Sequence, residues 1–190
     1  MMKNFVPRLF VLILVSFLLT GCLTSEFKEY RFRINADGSG SGSIKFVNLV
    51  SEEDDGKDVS FSDFDELVNN YLQGDTFEND NPLKSVTSKI LFEENGVLCG
   101  KVEFTFANYQ ENGFFKYEGN SCAPVMYYLG DLGETFIESD GEHYAGDADI
   151  PIIIWAPDTK EFYFKTNVKD DMTDAHNLLE LYNLWKLTQD

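Results

Sequence analysis

The sequence predicts an α+β domain, an antiparallel sheet built from hairpins with one helix after the first hairpin and another at the C-terminus. Three observations carry this. Tyr30-Arg31-Phe32-Arg33-Ile34 alternates apolar and cationic residues, the period of a strand with one buried face. Asn95-Gly96 separates two strand-like runs, and this pair takes the positive φ of a tight hairpin turn at little cost. Near the end, Leu178, Leu181, Tyr182 and Trp185 recur at helical spacing.

The first strand pairs with a return at Ile44-Lys45-Phe46, across a glycine-rich tip at Asp37-Gly38-Ser39-Gly40-Ser41-Gly42. That tip lacks the Lys-Ser/Thr ending and the following helix of a phosphate loop, so it reads as a turn. Glu52 to Asp58 is an acidic loop. Counted from Gly56 it fails as a calcium hand, because Ser51 and Ser62 would occupy the first and last ligand positions. Ser62 can cap a helix in which Phe64, Leu67, Val68, Tyr71 and Leu72 share a face and which Gly74 ends. Residues 73–83 read as loop.

Strands follow over 86–92 and 97–106. On the second, Leu98, Gly100, Val102, Phe104 and Phe106 share one face, and Cys99 points to the other. Residues 108–123 are aromatic but irregular. Strands resume over 125–129 and 134–138, Asp140-Gly141 turns, and the apolar run 150–155 reads as a strand covered on both faces. Ala156-Pro157-Asp158-Thr159 turns the chain into a strand over 161–165. The last helix is expected over 174–187, where Leu179, Leu184 and Leu187 widen its apolar stripe; this reads as a deeply buried helix, set against an exposed partner-binding ridge.

The first 21 residues read differently from the rest. Lys3 and Arg8 precede the apolar run Leu9 to Leu19, which ends in Thr20-Gly21 before Cys22. This is the order of an export signal, and its core is too short for the roughly 20 residues that a spanning helix needs. Leu19-Thr20-Gly21-Cys22 resembles the lipobox of bacterial lipoprotein precursors: an aliphatic residue, a small one, Gly or Ala, then Cys. The resemblance implies that the Cys22 thiol receives a diacylglycerol, that the signal is cut before Cys22 and that the new amino terminus is acylated. Two or more acyl chains anchor a protein stably without a spanning helix. The following residue is Leu23 rather than Asp, which by the same resemblance points to outer-membrane delivery in a cell with two membranes. The strand, Asp-Gly-Ser-Gly tip and returning strand are similar to the start of some uncharacterised bacterial lipoproteins, a likeness that brings no activity with it. The expected organisation is a signal over 1–21, a lipidated tether over 22–28 and one domain over 29–190.

Composition bounds the function. The chain has 190 residues, 43% of them hydrophobic, and a net charge of −18. That is enough apolar material for one folded core. Without Lys3 and Arg8 the balance is 13 Lys and Arg against 33 Asp and Glu, or −20. Nucleic acid is thereby excluded as a partner.

With Cys22 assigned to lipid, Cys99 and Cys122 are the pair left for a disulfide, alternatively two thiols; export permits a bridge and spacing does not decide it. No Cys-x-x-Cys or Gly-x-Ser-x-Gly motif is present. His143, one of two histidines, is flanked by Glu138, Asp140, Glu142, Asp147 and Asp149. This is a candidate site for Ca²⁺ or another divalent metal, set against a solvated acidic loop. Tyr109, Phe114, Tyr127, Tyr128 and Tyr144 are the aromatics from which a binding patch could be built. These observations give the expectation of a membrane-anchored, non-enzymatic module that binds an envelope protein, a glycan or another envelope component. The alternatives are an envelope enzyme, such as a metal-assisted hydrolase using the His143 region, and a structural envelope protein.

Overall fold

The central hairpin is longer than its sequence signal. β1 (Leu23–Ile34) and β2 (Gly40–Glu52) pair along their whole length, from Leu23 opposite Ser51 to Ile34 opposite Gly40. Residues 23–28, expected as a tether, are thus already strand, and Cys22 directly precedes β1. The computed structural model describes residues 22–117, 119, 122–145 and 151–189. Its architecture is the α+β, hairpin-built sheet that the alternation and turn signals predict.

The remaining elements are α1 (Ser60–Glu66), continued by a π-helical turn (Leu67–Leu72), α2 (Thr76–Asp80), β3 (Ser85–Glu94), β4 (Val97–Phe106), β5 (Phe114–Lys116), β6 (Val125–Tyr128), β7 (Thr135–Ser139), β8 (Glu142–Tyr144), β9 (Ile152–Trp155), β10 (Glu161–Asn167), β11 (Ala175–Asn177) and α3 (Leu179–Lys186). The first sheet has the order β3-β4-β2-β1-β10-β7, with β11 on the far end of β2, and the second is β5-β6-β9-β8. All ladders are antiparallel.

Aromatic rings fill the space between the two sheets. Phe32 lies at the centre, with the ring centroids of Phe114 at 5.0 Å, Phe104 at 6.1 Å and Phe164 at 6.3 Å. Their packing explains Gly40 and Gly42, which belong to β2 rather than to a flexible tip. A Cβ on Gly42 would stand 2.8 Å from the rings of both Phe104 and Phe32. The turn itself is Asn35 to Ser39, where Gly38 takes φ +89° and Asp37 Oδ1 accepts from the Ser39 backbone N–H at 3.0 Å. The Asn95-Gly96 turn forms as predicted, with φ of 53° and 80°.

A second core lies beside the first. Leu49, Leu67, Val68, Leu98, Leu178 and Tyr182 pack together, so α1, its π continuation and α3 cover the part of the first sheet that the second sheet does not reach. Several expectations change here. Ser62 does not cap α1, which begins at Ser60, whose backbone N–H bonds Asp58 Oδ1 at 2.9 Å. The expected loop 73–83 contains α2, which buries Phe77. The terminal helix is shorter than 174–187, because Ala175–Asn177 pair with β2 instead. Nor is it deeply buried: Leu178 and Tyr182 are, but Leu184 is 62% exposed and Leu187 74%. Along β9, Ile153 and Trp155 are buried while Ile152 and Ile154 are half-buried.

Gly42→Ala should cost about 1–3 kcal/mol by overpacking the aromatic core, lowering the thermal midpoint by several degrees with the far-ultraviolet spectrum intact. An unchanged midpoint would show that the rings yield without cost.

Candidate functional site

Where the two cores meet, the first sheet and the helical cover enclose a half-open apolar cavity of about 240 Å³. Phe46, Leu49, Leu91, Gly100 and Val102 line it from the sheet, and Leu67, Tyr71, Leu72 and Phe77 from the helical segment. Members of both cores share its wall. A local slip in alternation builds it. Asn48 takes φ 57°, and its side-chain amide donates to Glu26, the opposite residue on β1, at 2.8 Å. Beyond this point the paired residues Ser25 and Leu49 are both buried against the cavity, although Lys28, Tyr30, Phe46 and Ile44 set the inward phase before it.

The cavity's charged groups are few and of one sign. Among the described lining residues there is no carboxylate, while Lys28 and Lys89 line the wall from inward strand positions; Lys101 also borders it but shares the other face of β4 with Glu103. Lys89 Nζ donates to the Gly74 carbonyl at 2.5 Å and pairs with Glu78 at 2.8 Å, which fastens the helical cover to β3. That partnership holds the Glu78 carboxyl below its ordinary range. Lys101 sends its ammonium to Glu103 at 2.5 Å. Ser25 is 2% exposed, and its Oγ has no hydrogen-bond partner among the described residues.

Next to the cavity, Glu134 gathers donors from two strands. Its carboxylate accepts from Lys28 Nζ at 2.6 Å, from Tyr30 Oη at 2.9 Å and from Thr166 Oγ1 at 2.6 Å, with only 5% of its side chain exposed. Three donors at one buried carboxylate satisfy most of its lone pairs, the condition under which a buried charge is tolerated. Burial, and then the Glu134 charge, pushes the Tyr30 phenol far above its ordinary value. Burial does the same for Tyr127.

The residues singled out from sequence are scattered by comparison. His143 stacks on Phe136 at 3.9 Å, and its Nε2 has no partner among the described residues. Asp140 Oδ1 accepts from Trp155 Nε1 at 2.7 Å and from the Tyr163 backbone N–H at 2.9 Å, so it holds a turn together. Glu138 accepts from Tyr163 Oη at 2.8 Å, and Glu142 is exposed. Asp147 and Asp149 lie outside the described residues. Among the described residues no three His, Cys, Asp or Glu side chains converge in a way that could hold a metal.

Cys99 is wholly buried on the face of β4 opposite Gly100 and Val102, and burial raises its thiol pKa. Cys122 is exposed in the segment before β6. At Cys22, burial and then Asp63, Asp54 and Glu52 push the thiol pKa up, so the folded domain does not favour a thiolate there. Phe114 and Tyr127 belong to the core, while Tyr128 and Tyr144 are exposed.

On the opposite face of the sheet is a shallow polar trench of about 510 Å³, in which Ser41 and Ser43 lie low between Arg31 and Arg33 on β1 and Glu103 and Thr105 on β4. Arg31 lies over the Tyr163 ring at 4.3 Å. Comparison of the chain with protein-family models, curated proteins and solved structures finds no match. Sequence reasoning missed the cavity, since its lining comes from separated elements. The only local signals were Phe77 and Lys89, an apolar residue in a presumed loop and a cation on an inward strand position.

Two outcomes follow. Glu134→Ala should lower stability by about 2 kcal/mol in denaturant melts, somewhat below the usual loss for a fully buried pair because Lys28 remains partly solvated. A change below about 0.5 kcal/mol would reduce the cluster to surface chemistry. Tyr30 and Tyr127 keep their protons in the folded state above the pH at which unfolded tyrosines ionise. Stability should therefore be full below about pH 10 and fall above it, by at most about 1.4 kcal/mol per pH unit for each tyrosine. Ultraviolet titration should show these phenols ionising only with unfolding, and a smooth folded-state titration of every tyrosine would contradict this.

Proposed function

We propose that this chain is a lipid-anchored, non-enzymatic module of the bacterial cell envelope that binds an apolar ligand in the helix-covered cavity. The observation that carries the binding function is the cavity itself. It is half-enclosed, walled by aliphatic and aromatic side chains and lined in part by Leu23, Thr24 and Ser25. Ligand sites are generally concave and mostly apolar with a few placed polar groups. At about 240 Å³ this one suits a ligand smaller than the drug-sized class.

The anchor rests on the lipobox resemblance at Leu19 to Cys22. Because β1 starts at Leu23, an acylated Cys22 would hold the cavity end of the domain against the membrane surface. The large negative charge disfavours attachment through anionic headgroups, which leaves the acyl groups to supply the binding. Outer-membrane delivery follows from Leu23 if the cell has two membranes.

The test has two readings. Mass spectrometry of the membrane-purified protein should find diacylglycerol on Cys22 at the amino terminus. In the lipid-free 22–190 domain, which contains every described strand and both cores, the fluorescence of N-phenyl-1-naphthylamine should rise on binding. Leu72→Trp, which fills the cavity from its helical side, should abolish the rise. An unmodified Cys22 would overturn the anchor, and probe binding indifferent to Leu72→Trp would overturn the site.

A further inference from the structure

We infer that the cavity is a site for a single acyl chain, whose carbonyl or carboxylate oxygen accepts a hydrogen bond from the Ser25 hydroxyl. This deepens the apolar-ligand reading and rests on it.

A hydroxyl buried without a partner is destabilising, and such groups are few in folded proteins. Ser25 is 2% exposed, lines the cavity, and has no partner for Oγ among the described residues. A ligand that brings an oxygen acceptor to it removes that cost at the moment of binding. A plain hydrocarbon leaves the cost in place.

Charge selects the head. In a chain of net charge −18, the described cavity lining contains lysines and no carboxylate. Lys28 and Lys89 occupy inward positions on β1 and β3, and each ammonium has three donors. Lys28 uses one on Glu134, and Lys89 divides its donors between the Gly74 carbonyl and Glu78. Donors therefore remain for an oxygen-bearing or anionic head, whereas a cationic head meets the two ammoniums, with Glu134 and Glu78 already engaged by them.

Size and place agree with this. The half-open cavity of about 240 Å³ is on the scale of one short hydrocarbon chain. Leu23, Thr24 and Ser25 all line the cavity, within three residues of the candidate lipid-bearing Cys22. Acyl chains with carbonyl oxygens are at hand there from two sources, free fatty acid in the neighbouring leaflet and the chain's own anchor.

The experiment is displacement of N-phenyl-1-naphthylamine by decanoate and by decyltrimethylammonium, using both the lipidated protein in detergent and the lipid-free 22–190 domain. The lipid-free domain should prefer decanoate over the cation by at least about tenfold. Ser25→Ala should weaken decanoate about tenfold, the scale of one hydrogen bond, while leaving probe affinity unchanged and raising the melting temperature of the ligand-free domain. Those opposite signs separate a ligand contact from a structural role. Decanoate binding to both forms identifies exchangeable fatty acid as the source. Binding to the lipid-free form alone identifies the anchor's own chain as the occupant, and each result supports an acyl site. Probe binding with equal displacement by both amphiphiles, or with decanoate affinity untouched by Ser25→Ala, would overturn the acyl assignment and leave the apolar site standing. Absence of probe binding to either form would overturn both.

Discussion

The inner face of the first sheet is longer than any one layer that covers it. β2 has 13 residues, about 43 Å at 3.3 Å per residue, whereas the longest strands of the second sheet, β6 and β9, have four, about 13 Å. One half of the sheet is closed by strands and aromatic rings and the other by α1, its π continuation and α3. Strands and helices stand at different heights above a sheet, so a joint between the two covers leaves space. The cavity lies on the helical side of that joint, walled by the first sheet and the helical segment, and beyond the slip at Glu26 and Asn48 Ser25 becomes one of its lining residues.

What keeps the joint from collapsing is polar. Lys89 ties the helical cover to β3 through Gly74 and Glu78, while Glu134 ties β1 to β10 through Lys28, Tyr30 and Thr166. These clamps flank an apolar wall, so the cavity is bounded by directional bonds rather than by close packing alone. A void in an otherwise dense interior forfeits contacts on every side, and a ligand that restores them stabilises the fold as it binds.

The parts of the fold visible in the sequence were those written in short-range chemistry. Asn95-Gly96 fixes its hairpin because both residues accept positive φ, and the Tyr30 to Ile34 alternation fixes a strand face. Gly40 and Gly42 misled because a glycine that makes room for Phe104 and Phe32 looks, along the chain, like a glycine that makes a turn. Ala175–Asn177 reads as helix by its neighbours and becomes strand only because the far end of β2 offers an unpaired edge. The acidic surroundings of His143 read as a solvated loop or a metal site, and the sequence did not show that Asp140 and Glu138 hold Trp155 and Tyr163. The cavity was illegible for a similar reason: Ser25, Leu49, Phe77 and Lys89 come from four elements, and nothing local marks a serine that will be buried without a partner.

The central claim is that one acyl chain lies between the first sheet and the helical cover with its oxygen at Ser25. The most direct measurement is isotope-filtered nuclear magnetic resonance of the lipid-free domain with uniformly carbon-13-labelled decanoate. The account predicts nuclear Overhauser contacts from the chain methylenes to Leu49, Leu67 and Phe77, and from the carbon next to the carboxylate to the Ser25 β-protons. Contacts confined to the exposed Leu184 and Leu187 of the terminal helix segment, or to the Arg31 trench on the opposite face, would contradict it.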